Sequence, residues 1–114
     1  MTPLYTRTWK PSAPACAHLL IVHGYGEHSG RYEHLADALT TLGVQVHAYD
    51  LRCHGKSPGK RGYITRFETL VDDLANQLEA VRAEAGDMPL FLFAHSMGGL
   101  VACNLLSRGE AGIA

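Results

Sequence analysis

The sequence predicts an α/β fold, a parallel sheet with helical crossovers. Three observations lead there. Short apolar runs at 17–22, 44–49 and 90–93 each end in a polar loop. Between them the apolar spacing changes to helical period, over 32–42 and 67–81. Gly43 and Gly86 stand where each helical stretch must stop. Strand and helix in strict alternation make the parallel sheet the economical solution.

Ala17–Val22 reads Ala-His-Leu-Leu-Ile-Val, a buried-type strand closed by His23-Gly24. From Arg31, Tyr32, Leu35, Ala36, Leu39 and Leu42 fall on one helical face, and Gly43 ends it. Val44–Tyr49 is the second strand, ending at Asp50, and a polar loop runs on to about Ile64. Thr65 and Glu68 have the S/T-x-x-E spacing of a capping box. Phe67, Leu70, Val71, Leu74, Leu78 and Val81 then repeat on one face up to Gly86. Leu90–Phe93 is the third strand, and a further helix covers Leu100–Leu106.

The chain has 114 residues, enough for one domain over 1–114. Apolar residues make up 46%, sufficient for a core, and charged residues 18%. A net charge of −1 with no basic run argues against nucleic acid as a partner. Cys16, Cys53 and Cys103 lack C-x-x-C spacing and read as reduced thiols in the core or in loops. Met1–Lys10 holds no apolar run of signal-peptide length, so cytoplasmic residence is the default expectation. Peripheral membrane contact stays open.

In open parallel sheets, ligands bind beyond the carboxyl ends of the strands. Three polar loops sit there: His23–Gly30, Asp50–Gly62 and His95–Gly99. In the last, Ala94-His95-Ser96-Met97-Gly98 nearly matches G-x-S-x-G. A sharp strand-to-helix turn exposes a serine, and small residues on either side let the helix pack closely. Ser96 is therefore the candidate nucleophile. The backbone N–H groups of Tyr25 and Met97 are the candidate oxyanion donors, one after the first strand and one after the nucleophile. The bland alternative is a serine that merely caps a helix. A second competitor is dinucleotide binding: Gly24-Tyr25-Gly26-Glu27-His28-Ser29 is a near miss to G-x-G-x-x-G, with Asp50 placed like the acidic ribose partner. Ser29 in place of the third glycine weakens that reading.

The segments His23–Tyr32 (HGYGEHSGRY), Asp50–Gly62 (DLRCHGKSPGKRG) and Ala94–Gly99 (AHSMGG) together resemble motifs of the monoacylglycerol lipase and lysophospholipase branch of the α/β-hydrolases. The resemblance spans about Thr6 to Arg108, with Cys53 and Ala94 standing where that branch has glycine. A left-handed backbone at Cys53 would strain it. The resemblance implies a serine esterase or lipase that needs no cofactor and acts on an acyl ester such as a monoacylglycerol or lysophospholipid. It also implies that the chain is the N-terminal portion of the fold. The catalytic acid, the histidine and the lid belong beyond Ala114, so the chain by itself is expected to be inactive. The alternative of another class is a non-catalytic truncated α/β module.

His23, His28, His54 and His95 lie at the loop ends, and loop-tethering hydrogen bonds are the expected role of each. Glu27 and Arg31 read as charges able to pair with each other. No His, Asp or Glu set has convincing metal-ligand spacing. The strand at 90–93, lacking a further neighbour, is expected to leave an apolar sheet edge open to self-association.

Overall fold

Four strands form one sheet in the order β1-β3-β2-β4. They are β1 (Thr6–Trp9), β2 (Ala17–Val22), β3 (Val44–Tyr49) and β4 (Leu90–Ala94). The computed structural model describes residues 3–64, 66–109 and 113. Strands β2, β3 and β4 are parallel, with Val22 opposite both Tyr49 and Ala94. Their C-terminal ends therefore lie level, and the three polar loops emerge side by side.

The all-parallel expectation is corrected at one edge. β1 pairs antiparallel with β3, Thr6 opposite Tyr49 and Trp9 opposite Val46. Thr-Arg-Thr-Trp has no apolar run, and its alternation is only four residues long. An edge strand needs no second buried face, so it carries little signal.

Helices α1 (Glu33–Thr41), α2 (Phe67–Ala85) and α3 (Met97–Ser107) cover the sheet. On one face Leu20, Val22 and Tyr49 pack against Leu70, Leu74, Leu78, Val101 and Leu105 of α2 and α3. On the other, Ile21, Val46 and Ala48 meet Ala36 of α1. Each fully buried Leu or Val contributes about 1.5–3 kcal/mol of transfer free energy. The broad face under two helices thus holds most of the core.

The helix faces follow the spacing except at their ends. Leu42 is largely exposed, because α1 stops at Thr41 and Gly43 takes φ +88°. A short 3-10 turn, Ser29–Tyr32, precedes α1. Thr65 of the expected capping box lies outside the described residues. Arg66 stands at the N-cap of α2 in extended conformation, without a side-chain cap. Helix α3 begins at Met97, three residues before its apolar stretch, because the turn at Ser96 starts it. Of the three free thiols, Cys53 is buried in the second loop and Cys16 lies in the loop before β2, as the core-or-loop reading has it, whereas Cys103 is exposed on α3, which corrects that reading there. Among the described residues β4 stands at the edge of the sheet, with Phe91 and Phe93 exposed. Among the described residues, no helix is long and apolar enough to cross a membrane.

Candidate active site

Ser96 sits between β4 and α3 with φ +57° and ψ −120°. A non-glycine residue held there costs on the order of 1–3 kcal/mol, so the surrounding packing must enforce it. Two glycines show how. A Cβ on Gly98 would lie 2.5 Å from the carbonyl oxygens of both Val22 and His23. Only glycine lets α3 approach the end of β2 that closely. A Cβ on Gly24 would meet Ser96 Cβ at 3.0 Å and His95 O at 3.1 Å. The first loop therefore touches the serine turn directly. The Ser96 side chain is exposed, and its hydroxyl has no hydrogen-bond partner among the described residues.

Tyr25 follows Gly24, and Met97 follows Ser96. Among the described residues, neither backbone N–H donates to an acceptor. The Tyr25 ring is spoken for: its hydroxyl donates to Gly62 O at 2.8 Å, tying the first loop to the second. Among the described residues these two backbone N–H groups are thus free, one in the first loop and one at the start of α3, next to the contact between Gly24 and Ser96.

Glu27 organises this junction. Its Oε2 accepts from Gly24 N at 2.9 Å and from His95 Nδ1 at 3.1 Å, and its Oε1 accepts from the Tyr32 hydroxyl at 3.1 Å. Partial burial opposes its charge. The hydrogen bonds from His95, Gly24 and Tyr32 outweigh that and hold the carboxyl below its ordinary range. Burial and the Glu27 carboxylate push the Tyr32 phenol up to about 12, so it stays a donor. The expected Glu27–Arg31 pairing gives way to these three contacts, because the side chain turns toward the serine turn.

The histidines tether loops, as their positions suggested. His23 Nε2 accepts from Leu51 N at 2.9 Å, so Nδ1 carries the proton and donates to Gly24 O at 2.7 Å. Burial pushes His23 below the ordinary imidazole range, which keeps it neutral. His28 Nδ1 accepts from Gly30 N, and His54 Nδ1 meets Arg52 O. No imidazole among the described residues hydrogen-bonds Ser96.

Asp50 answers the dinucleotide reading. Its Oδ1 accepts from Ser29 N at 2.7 Å and Ser29 Oγ at 2.6 Å, and its Oδ2 accepts from Lys56 N at 2.9 Å. Burial opposes its charge, but these bonds prevail and hold it below the usual carboxylate range. Both oxygens are committed inside the protein at 2% exposure, so none faces a ribose. Ser29, the missing third glycine, is the residue that occupies it.

The second loop is clamped from within. Arg61 donates to Gly55 O, Ser57 O and Gly59 O, and Arg52 forms a paired contact with Asp73 of α2. Cys53 takes φ +69°, so the position that the resemblance gives to glycine does require a left-handed backbone. Beside this loop lies an open cavity of about 290 Å³, lined by Tyr25, Glu27, His54 and Arg61 among others.

One cluster escaped the sequence reading. His18 of β2, His47 of β3 and Glu84 of α2 bring their ligand atoms within 4.8 Å of one another. Their separations in sequence carry no motif. The signal was strand alternation, which puts 18 and 47 on one face only once the β2–β3 register is known.

The family described as serine aminopeptidase S33 matches residues 13–114. Monoglyceride lipase of Rattus norvegicus is 40% identical over 107 residues, covering 94% of this chain and 35% of that protein. The crystal structure of Paleococcus ferrophilus monoacylglycerol lipase is 36% identical, with a TM-score of 0.79, covering 98% of this chain and 40% of that one. That of a thermostable carboxyl esterase from Bacillus coagulans is 30% identical, with a TM-score of 0.84, over 95% of this chain and 36% of that one. The chain spans about a third of the length of the curated relatives it matches.

Proposed function

The chain belongs to the serine aminopeptidase S33 family of α/β-hydrolases, and from that membership we propose that it carries the nucleophile and oxyanion donors of an acyl ester hydrolase. The substrate class is a fatty-acyl ester of glycerol, a monoacylglycerol or a lysophospholipid, after the monoglyceride lipases among its relatives. Ser96 Oγ attacks the ester carbonyl and forms an acyl-enzyme, and water releases the acid. The N–H groups of Tyr25 and Met97 hold the tetrahedral oxyanion. The observation that carries this reading is the strained, exposed Ser96 turn, pressed against a loop whose neighbouring N–H is free.

A serine hydroxyl needs a base to become a nucleophile at neutral pH. No described imidazole reaches Ser96, so the base is supplied from outside the described residues, and residues 1–114 alone turn esters over poorly. Rapid p-nitrophenyl ester hydrolysis by the isolated chain, abolished in Ser96→Ala, would overturn that. The exposed Phe91 and Phe93 edge favours self-association of the isolated chain, and a monomer in sedimentation would count against it. Peripheral contact with lipid, where such substrates reside, belongs to the same reading.

The deciding experiment is fluorophosphonate labelling of the intact protein followed by peptide mass mapping. The label is expected on Ser96, absent in Ser96→Ala and unchanged in Ser107→Ala. Labelling elsewhere, or equal labelling of Ser96→Ala, refutes the assignment. Turnover of a long-chain monoacylglycerol but not of an aminoacyl amide fixes the substrate class. The reverse pattern makes it a peptidase.

A further inference from the structure

At the far end of the sheet from Ser96, His18 Nδ1 and His47 Nε2 face each other at 2.8 Å. Their ring planes differ by 19° and their centroids stand 5.0 Å apart, as for two nearly coplanar rings meeting nitrogen to nitrogen. The Glu84 carboxylate, in the last turn of α2, completes a set whose ligand atoms all lie within 4.8 Å of one another. From this juxtaposition we propose that His18, His47 and Glu84 form a binding site for a divalent transition metal of the zinc type.

Two imidazoles and one carboxylate are a donor set that suits zinc, with tetrahedral geometry and one position left for water. At zinc–nitrogen distances of about 2.0–2.1 Å, two imidazole nitrogens on one ion stand about 3.3 Å apart. The rings must therefore open by about half an ångström, which a small rotation supplies. Both rings must also place their proton on the outer nitrogen. Both rings are buried, and burial favours the neutral imidazole whose lone pair a metal takes.

The surroundings fit this use. Gln45 is buried, and its amide donates to Glu84 Oε2, fixing the carboxylate as outer-shell partners of metal ligands do. His47 and Glu84 line a cavity of about 140 Å³ with Thr6, Thr8 and Gln77, which gives an entry path and room for the fourth ligand. Arg82 lies near enough to His18 to oppose a cation, and Glu84 offsets it. A bound ion would pin the end of α2 to β2 and β3, a structural role away from the serine.

The test is titration of the purified protein with Zn²⁺ against a chromophoric chelator, and with Co²⁺ by visible absorption. One ion per chain is expected, with a tetrahedral cobalt spectrum and a rise in melting temperature. Glu84→Gln should weaken binding by at least about tenfold, and His18→Gln or His47→Gln should remove it. Ser96→Ala should leave it unchanged. If the buried histidine variants fail to fold, Glu84→Gln decides, since Glu84 is exposed. Absence of stoichiometric binding, an octahedral cobalt spectrum, or undiminished affinity in Glu84→Gln overturns the site.

Discussion

His95 Nδ1 donates to Glu27 Oε2 at 3.1 Å, joining two loops 68 residues apart in the chain. The same oxygen accepts from Gly24 N, so one carboxylate holds the residues before both Tyr25 and Ser96. Glu27 is thus a positioning residue for the serine turn. Glu27→Ala should lower kcat of the intact protein by about tenfold to a hundredfold, the cost of small misplacements in a reacting geometry, with little change in KM. Glu27→Gln, which still accepts from Gly24 N–H, should lose less. Steady-state kinetics on a soluble ester separates the two parameters. Equal losses in both variants would argue for charge rather than placement.

Cys53 holds a left-handed backbone with its side chain buried against Gly59. Glycine relieves that strain, and alanine keeps it while giving up the sulfur contact. The stability order should be Cys53→Gly equal to or above the parent, and Cys53→Ala below it by about 1 kcal/mol. Urea midpoints of the three proteins give the answer.

The Tyr49 hydroxyl is fully buried and has no partner among the described residues. Burial and the nearby Asp73 charge push its ionisation far upward, so it stays neutral. Tyr49→Phe removes an unsatisfied polar group and should stabilise the protein by about 1 kcal/mol. A loss of stability would mean that the hydroxyl has a partner after all.

His23, His18 and His47 all sit below the ordinary imidazole range in the folded state. The unfolded chain then binds more protons between the folded values and about 6.5, so stability is complete above that pH and declines below it. Asp50 and Glu27 add a second loss at lower pH. Their folded values are depressed, so their contribution is present above the ordinary carboxylate range and vanishes as pH falls through the folded values. Denaturation at pH 7.5 and 5.5 should show a clear drop. His23→Gln, which keeps an acceptor for Leu51 N–H, should shrink that drop without abolishing it.

The parallel strands, the helix faces and the serine turn were legible because each rests on local pattern. Leu20 and Val22 are buried where the apolar run said so, and Gly43 and Gly86 stop their helices with positive φ. What was not legible depends on pairing across the sheet or on where long side chains turn. β1 is recognisable only beside β3. Glu27 reaches past Arg31 to His95, and nothing in its neighbours' identity announces that. His18 and His47 meet because of a strand register, and Glu84 joins them from a helix whose rotation is set by Leu74, Leu78 and Val81.

Two non-glycine residues in the described structure hold a positive φ, Cys53 and Ser96. Glycine would sit more easily at both. A population of variants selected for thermal endurance alone should drift to glycine at each position. If Ser96 is the nucleophile proposed above, the first replacement would leave the protein's chemistry alone, whereas the second would silence it. Under the proposed function, the backbone angle at Ser96 is a mark of reactivity kept at the expense of durability.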